Sequence, residues 1–240
     1  MEKKIIISDF DDTLYINNKI SDRCIESINK FRKDGNLFVI ATGSSYTSFL
    51  KKVGNAGLKY DYLIVNHGST ILKNGQIIFN QVLDKFALNE IINRYNLTDK
   101  ENYTIIKNTK GNFFSTAMKG LVTSEEENIT KIHLEFGIED YEKEVSYLKE
   151  KYKGKCNIYE IGLNSIEIIS CYASKLLAID KILNLENISN QNVYTIGDGH
   201  SDLEMIEKYN GYAMKNSFKE LKSYCIKEVN NVSELIKDIK

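Results

Sequence analysis

Three carboxylates, Asp9, Asp11 and Asp12, stand within four positions directly after the apolar run Ile5-Ile6-Ile7-Ser8. A continuous β-branched run reads as a strand buried on both faces, as in a parallel sheet covered by helices. Side chains alternate sides on an extended backbone, so Asp9 and Asp11 can face one cavity while Phe10 turns away into packing. Two carboxylates held together repel unless a cation or a proton intervenes, and clustered oxygen ligands suit a hard ion such as Mg²⁺. Taken alone, Asp-x-Asp also fits a solvated acidic turn, so the remaining chain has to discriminate.

The elements that must position these acids follow in order. Ser21 is placed to cap a helix whose apolar positions Cys24, Ile25, Ile28 and Phe31 recur at helical spacing, with Gly35 placed to end it. A second buried strand at 37–41 runs into Thr42-Gly43-Ser44-Ser45, a helix is expected over 46–55, and a third strand at 62–65 ends at Asn66-His67-Gly68-Ser69. This β-α-β-α-β order is that of a doubly wound parallel sheet, in which ligands bind at the carboxyl ends of the strands. The polar loops at 9–13, 42–45 and 66–69 therefore converge where a site is expected.

The pattern then changes. Segments 70–73 and 76–79 alternate about Asn74-Gly75, a strong hairpin signal. A helix at 84–95, strands at 103–107, 113–118 and 131–136, a helix at 139–152 and strands at 157–161 and 165–170 suggest an α+β module with an antiparallel sheet. From Ala173 the first pattern resumes with a helix, a buried strand at 192–196 and the run Gly197-Asp198-Gly199-His200-Ser201-Asp202. Short strands near 211–214 and 225–227 and helices at 218–223 and 232–239 complete the reading. The expected fold class is α/β, a Rossmann-like core of 1–81 and 171–240 interrupted by an inserted α+β cap of 82–170.

Composition narrows the partners. Thirty-two basic and thirty-three acidic residues leave a net charge of -1, which gives no electrostatic reason to expect nucleic acid or an anionic membrane. A small molecule is the default partner. Cys24, Cys156, Cys171 and Cys225 form no Cys-x-x-Cys pair, so reduced cytoplasmic thiols fit better than a zinc or disulfide framework. No apolar run approaches the ~20 residues of a membrane span and no signal-peptide pattern opens the chain, so a cytoplasmic protein is expected.

Taken in order, Asp9-Phe10-Asp11-Asp12-Thr13-Leu14, Ala41-Thr42-Gly43-Ser44, Ala173-Ser174-Lys175 and Gly197-Asp198-Gly199-His200-Ser201-Asp202 resemble the four motifs of the haloacid dehalogenase superfamily of phosphatases. The resemblance covers the whole chain. The place of the insert, between the second and third motifs, resembles the Cof-type subgroup, whose large α/β cap sits there and whose members mostly hydrolyse sugar phosphates and related small phosphomonoesters.

The resemblance implies Asp9 as a nucleophile forming an aspartyl-phosphate, and Asp11 as the acid for the leaving oxygen and then the base for water. It also implies Mg²⁺ held by Asp9, the main-chain carbonyl of Asp11 and Asp198, with Asp202 in support. Thr42 and Gly43 would bind phosphate oxygens with Lys175, which would also steady Asp9. Outside the motif context Lys175 would read as a solvated helix residue. His67 and His200 fall in strand-end loops, where a satisfied hydrogen bond is the simpler role, and neither enters the catalytic set.

Ser44 stands where the subgroup often has Arg, Ser201 where Asn is usual, and His67 separates Asn66 from Gly68; Ser44, Asn66 and Ser201 remain candidate substrate contacts. The expected partner is a small phosphorylated metabolite and the expected state a monomer or weak homo-oligomer. Alternatives are a phosphosugar mutase and a non-catalytic phosphometabolite-binding protein. A receiver-like signalling domain is rejected, because the place of its phosphoacceptor Asp holds Asn66.

Overall fold

The apolar run at the amino terminus lies at the middle of a sheet, as its composition demands. The computed structural model describes residues 2–54, 56–96, 103–108, 113–115 and 129–239. In chain order the strands are β1 (Ile5–Asp9), β2 (Leu37–Ala41), β3 (Tyr62–Val65), β4 (Thr70–Lys73), β5 (Gln76–Asn80), β6 (Tyr103–Asn108), β7 (Phe113–Ser115), β8 (Ile129–Glu135), β9 (Cys156–Ile161), β10 (Ser165–Ser170), β11 (Val193–Gly197), β12 (Asn210–Met214) and β13 (Lys227–Val229). The helices are α1 (Asp22–Lys33), α2 (Tyr46–Val53), α3 (Lys85–Asn96), α4 (Tyr141–Lys151), α5 (Lys175–Glu186), α6 (Leu203–Lys208), α7 (Lys219–Tyr224) and α8 (Val232–Asp238).

The first sheet has eight strands in the order β13-β12-β11-β1-β2-β3-β4-β5, parallel from β13 to β3, with the β4-β5 hairpin added antiparallel at one edge. The strand β1 pairs with β11 on one side and β2 on the other, all parallel, and every residue of β1 is buried. Two apolar clusters cover the two faces. One gathers Ile6, Phe38 and Ile40 with α1 and α8, and the other gathers Ile5, Ile7 and Val39 with α5 and α6. Because the chain runs outward from β1 through β2 to β3, and later from β11 outward the other way, the strand order reverses between β1 and β11. Such a switch point opens a crevice at the carboxyl ends of the two strands.

The second sheet has five strands in the order β7-β6-β8-β10-β9, with antiparallel pairings throughout. Its apolar cluster draws on 83–168, including Leu88 and Ile91 of α3, Leu148 of α4 and Ile132 and Ile168 of the strands.

Most elements fall within two residues of their sequence-based positions. The strand expected at 225–227 is instead β13 at Lys227–Val229, because Cys225 and Ile226 still belong to the approach from α7. The helix α6 has no counterpart in the sequence reading; its six residues follow directly on the acidic loop and are too few to set up a period. Of the strand expected at 113–118, residues 116–118 lie outside the described residues, as does residue 55 of the helix expected over 46–55.

Candidate active site

Asp9 closes β1 and Lys175 opens α5, and the two meet. The Lys175 ammonium donates to Asp9 Oδ1 and to Asp202 Oδ1, both at 2.6 Å. A cation in the first turn of a helix opposes the helix dipole, so Lys175 is held there by its carboxylates and not by the helix. Ser174 caps α5 by accepting from the Leu177 N–H, which sets where the helix starts and thus where Lys175 points. All three charged groups are buried, Lys175 at 2%, Asp9 at 6% and Asp202 at 1% exposure, so each depends on the others for its charge.

Burial draws the Lys175 amine down, but Asp202 and Asp9 outweigh it and hold the ammonium above its ordinary range. The balance is reversed at Asp9. Burial pushes its carboxyl well above the usual range, Lys175 draws it back, and the Asp202 and Asp198 carboxylates push it up again.

The loop after β11 explains the spacing of the last motif. Asp202 Oδ2 accepts from the Asp198 N–H at 3.1 Å and the Gly199 N–H at 3.0 Å, so this carboxylate folds the loop that presents Asp198. Gly197 is required by the approach: a Cβ there would stand 2.5 Å from Asp202 Cγ. Thr13 donates to Asp198 Oδ1 at 2.6 Å and orients it, while burial raises the Asp198 carboxyl above its ordinary range.

Carboxylate oxygens of Asp9, Asp198 and Asp202 all lie within 4.8 Å of one another. Three acids face one ammonium, and the surplus negative charge adds to burial in raising Asp9 and Asp198. An all-oxygen donor set with excess negative charge fits a hard divalent cation.

The Asp11 carboxylate stands apart from that group. It accepts from Ser44 Oγ at 3.1 Å and, more distantly, from Thr42 Oγ1 at 3.5 Å, and it pairs with Lys52 of α2. Phe10, between the two acids, is fully buried against Phe49 and Tyr15, while Asp9 and Asp11 both line the cavity. Its carbonyl receives the Leu14 and Tyr15 N–H groups and so fixes the turn.

Around residues 42–45 the backbone is tied from outside. Thr42 O accepts from the His67 N–H, Ser44 O from the Asn66 N–H, and Gly43 O from Lys131 Nζ of β8. The Ser44 N–H bonds Thr42 Oγ1 at 3.0 Å, and Ser45 caps α2. A Cβ on Gly43 would sit 2.3 Å from the His67 ring, so only glycine allows the imidazole to lie against this loop.

Of the candidates named from sequence, Asp9, Asp11, Thr42, Gly43, Ser44, Lys175, Asp198, Ser201 and Asp202 all line one cavity of about 290 Å³. Asn66 does not. Its buried amide instead donates to Thr130 Oγ1 at 3.1 Å and so joins the two sheets.

Four lining residues were not in the candidate set: His67, Gly199 of the last motif, and Ile161 and Glu167 from the second sheet. His67 reaches beyond its own loop, with Nε2 bonding Glu167 Oε2 of β10 at 2.6 Å, its buried Nδ1 finding no partner among the described residues, and its ring stacked on Tyr159. A signal for Glu167 was present: it is the one charged residue in the otherwise apolar or small run 165–170, all six of which are buried. Nothing in the sequence said which way that strand faces.

Comparison with known proteins agrees with this arrangement. A model of haloacid dehalogenase-like hydrolases matches residues 6–234. No curated protein matches the chain. Among solved structures, a haloacid dehalogenase-like hydrolase from B. subtilis superposes with a TM-score of 0.84 at 18% identity, covering 99% of this chain and 100% of that one. Another from Bacteroides thetaiotaomicron gives 0.83 at 19% identity, with 100% of both chains covered. A subclass IIB sugar phosphatase of the same superfamily gives 0.79 at 17% identity, with 99% of each chain covered. These likenesses show the fold, and the family model spans all four strand-end motifs: the chain belongs to the haloacid dehalogenase-like hydrolases.

Proposed function

We propose that this chain is an Mg²⁺-dependent phosphatase that hydrolyses a small phosphomonoester, a sugar phosphate or related metabolite, through an aspartyl-phosphate on Asp9. The observation that carries the reading is the buried Lys175 between Asp9 and Asp202, with Asp198 alongside and Asp11 across the same cavity. The sugar phosphatase among the structural neighbours supports the substrate class by analogy of fold.

In this reading an Asp9 carboxylate oxygen attacks phosphorus, and the bond from phosphorus to the leaving oxygen breaks. Asp11 gives that oxygen its proton, then takes one from the water that attacks the Asp9 phosphoryl group, releasing phosphate and restoring both acids. Lys175, the Thr42 hydroxyl and the Gly43 N–H offset charge on the phosphate oxygens. Asp9, Asp198 and the Asp11 carbonyl would hold the metal with Asp202 in support; when bound, Mg²⁺ supplies positive charge against the phosphate and the surplus carboxylates. The inserted module, about 82–170, closes the cavity over the leaving group and excludes water.

The test is intact-mass analysis of acid-quenched protein after mixing with Mg²⁺ and 4-nitrophenyl phosphate, whose leaving group needs no proton. Asp11→Asn is expected to accumulate a phosphate adduct, because loss of general acid–base help slows hydrolysis by ~10²–10⁴-fold. Asp9→Asn is expected to show neither adduct nor turnover. An adduct on Asp9→Asn, mapped to any other residue, overturns the assignment.

A further inference from the structure

Lys131 is a fully buried lysine outside the acidic cluster. It sits on β8 of the second sheet at 0% exposure, and its ammonium reaches Gly43 O at 2.5 Å and Glu167 Oε1 at 2.7 Å. Lysine is almost never fully buried without a partner. Fold stability does not account for it, since a buried ion pair exchanged for apolar residues of similar volume is often neutral or better. What Lys131 does that an apolar residue cannot is occupy the carbonyl of Gly43.

That carbonyl is the middle of three. Thr42 O, Gly43 O and Ser44 O are each tied, the outer two by N–H groups of His67 and Asn66 and the middle one by Lys131. Asn66 and His67 both hold left-handed backbone, φ 51° and 54°, which disfavours non-glycine residues by ~1–2 kcal/mol each. This turn is held by the same cluster: His67 Nε2 bonds Glu167 Oε2 at 2.6 Å, and its ring packs between Gly43 and Tyr159. In a trans peptide the N–H points away from the C=O, so a tied carbonyl fixes the N–H on the other side. Gly43 and Ser44 line the cavity and Lys131 does not. Lys131 therefore fixes the Gly43–Ser44 peptide, whose N–H bonds Thr42 Oγ1 at 3.0 Å and so holds the hydroxyl assigned above to the phosphate.

We propose that Lys131 is a positioning residue for the phosphate loop, through which seating of the inserted module on the sheet sets the affinity of the loop for phosphate. The proposal rests on the phosphatase reading above and adds to it a dependence that leaving-group contacts would not produce. A side chain that recognises the leaving group affects some esters and not others. A side chain that sets the loop affects every ester, and inorganic phosphate, by the same factor.

The experiment measures binding of inorganic phosphate by calorimetry in Mg²⁺, and kcat/KM for 4-nitrophenyl phosphate and for a metabolite ester. It compares the wild type, Glu167→Gln, Lys131→Arg and the double variant Lys131→Met/Glu167→Gln, which removes both buried charges together. Relative to Glu167→Gln, the double variant is expected to lose ~10- to ~10²-fold in phosphate affinity, the scale of a misplaced contact, and equally in kcat/KM for both esters. Lys131→Arg, which keeps a donor, is expected to recover part of that loss.

Equal phosphate affinity in the double variant and Glu167→Gln overturns the proposal, as does a loss confined to the metabolite ester. A measurement on the wild type needs no variant to fold: inorganic phosphate is expected to shift the side-chain ammonium resonance of Lys131, and an unmoved signal under saturation overturns the proposal. Failure of the wild type to bind phosphate or hydrolyse any phosphomonoester would instead sink the phosphatase reading itself.

Discussion

Two lysines are buried near the cavity, Lys175 in its lining and Lys131 behind the 42–45 loop, and their surroundings differ in charge balance. Lys175 stands among Asp9, Asp198 and Asp202, one cation against three acids. Lys131 stands beside Glu167, and His67 and His133 also bond that carboxylate. At Glu167 burial raises the carboxyl, but Lys131 and the bonds from His133 and His67 outweigh it and hold it well below the usual range. At Asp9 the same burial wins, because two further carboxylates push in its direction. A cluster that neutralises itself is complete as built. One left with surplus charge is arranged for something that brings the opposite charge, and the contrast separates a structural joint from a binding centre.

The largest expected effect breaks the unbalanced side. Lys175→Met leaves two buried acids, Asp9 and Asp202, and the half-buried Asp198 with no cation, so metal-free protein should lose ~3–5 kcal/mol of stability, the usual result of removing one partner of a buried pair. Activity should fall by ~10²–10³-fold, the scale of one lost electrostatic contact to the reacting group. Denaturant unfolding in a chelator and steady-state kinetics in Mg²⁺ measure the two. On the balanced side, removing both charges in Lys131→Met/Glu167→Gln should cost less stability than Lys175→Met alone; the opposite ranking would erase the distinction between the two clusters.

A second, smaller effect sharpens it. Mg²⁺ at 100-fold over its dissociation constant should stabilise the wild type by ~2.7 kcal/mol, because it binds only the folded cluster. Asp198→Asn should lose most of that response, whereas Glu167→Gln should keep it. Thermal unfolding with and without Mg²⁺ reads this directly. A response that survives in Asp198→Asn, or is absent from the wild type, places the surplus charge elsewhere.

The two clusters also differed in how far the sequence revealed them. Asp9, Thr42, Lys175 and Asp198 each sit at the end of a strand or the start of a helix, where a local pattern fixes the backbone and the parallel topology brings the ends together. The convergence of the strand ends was legible because it follows from chain order, whereas Lys175 entered only through the resemblance of its motif. Lys131 and Glu167 lie inside strands of the second sheet, and their partnership depends on the register of β8 against β10 and on how that sheet docks. Register is a tertiary property, and a single buried charge in an apolar strand announces only that a partner exists. Asn66 shows the converse: its position at a strand end suggested a ligand contact, yet left-handed backbone turns it to Thr130.

The smallest expected effect is a pH dependence confined to the balanced cluster. Glu167 has its folded pKa depressed below the ordinary 4.5, so the unfolded chain binds its proton more readily than the folded one. Stability from this group is therefore fully present above pH ~4.5 and is lost as pH falls through the folded value, with a slope of at most ~1.4 kcal/mol per pH unit for one proton. His67 acts with the same sign in a higher window. Burial lowers its imidazole below the ordinary 6.5, against the raising effect of Glu167, so its contribution is lost as pH falls below that value. In a His67→Asn background, which removes the imidazole titration, the difference in unfolding free energy with and without Glu167→Gln should thus hold steady from neutral pH to about 4.5 and shrink below it, any pH-independent offset cancelling from the slope. Denaturant melts in chelator at closely spaced pH values measure it. A difference that stays flat as pH falls below 4.5 would mean that Glu167 gives up its proton no more readily in the folded protein than in the unfolded chain, and the second cluster would lose its claim to be balanced.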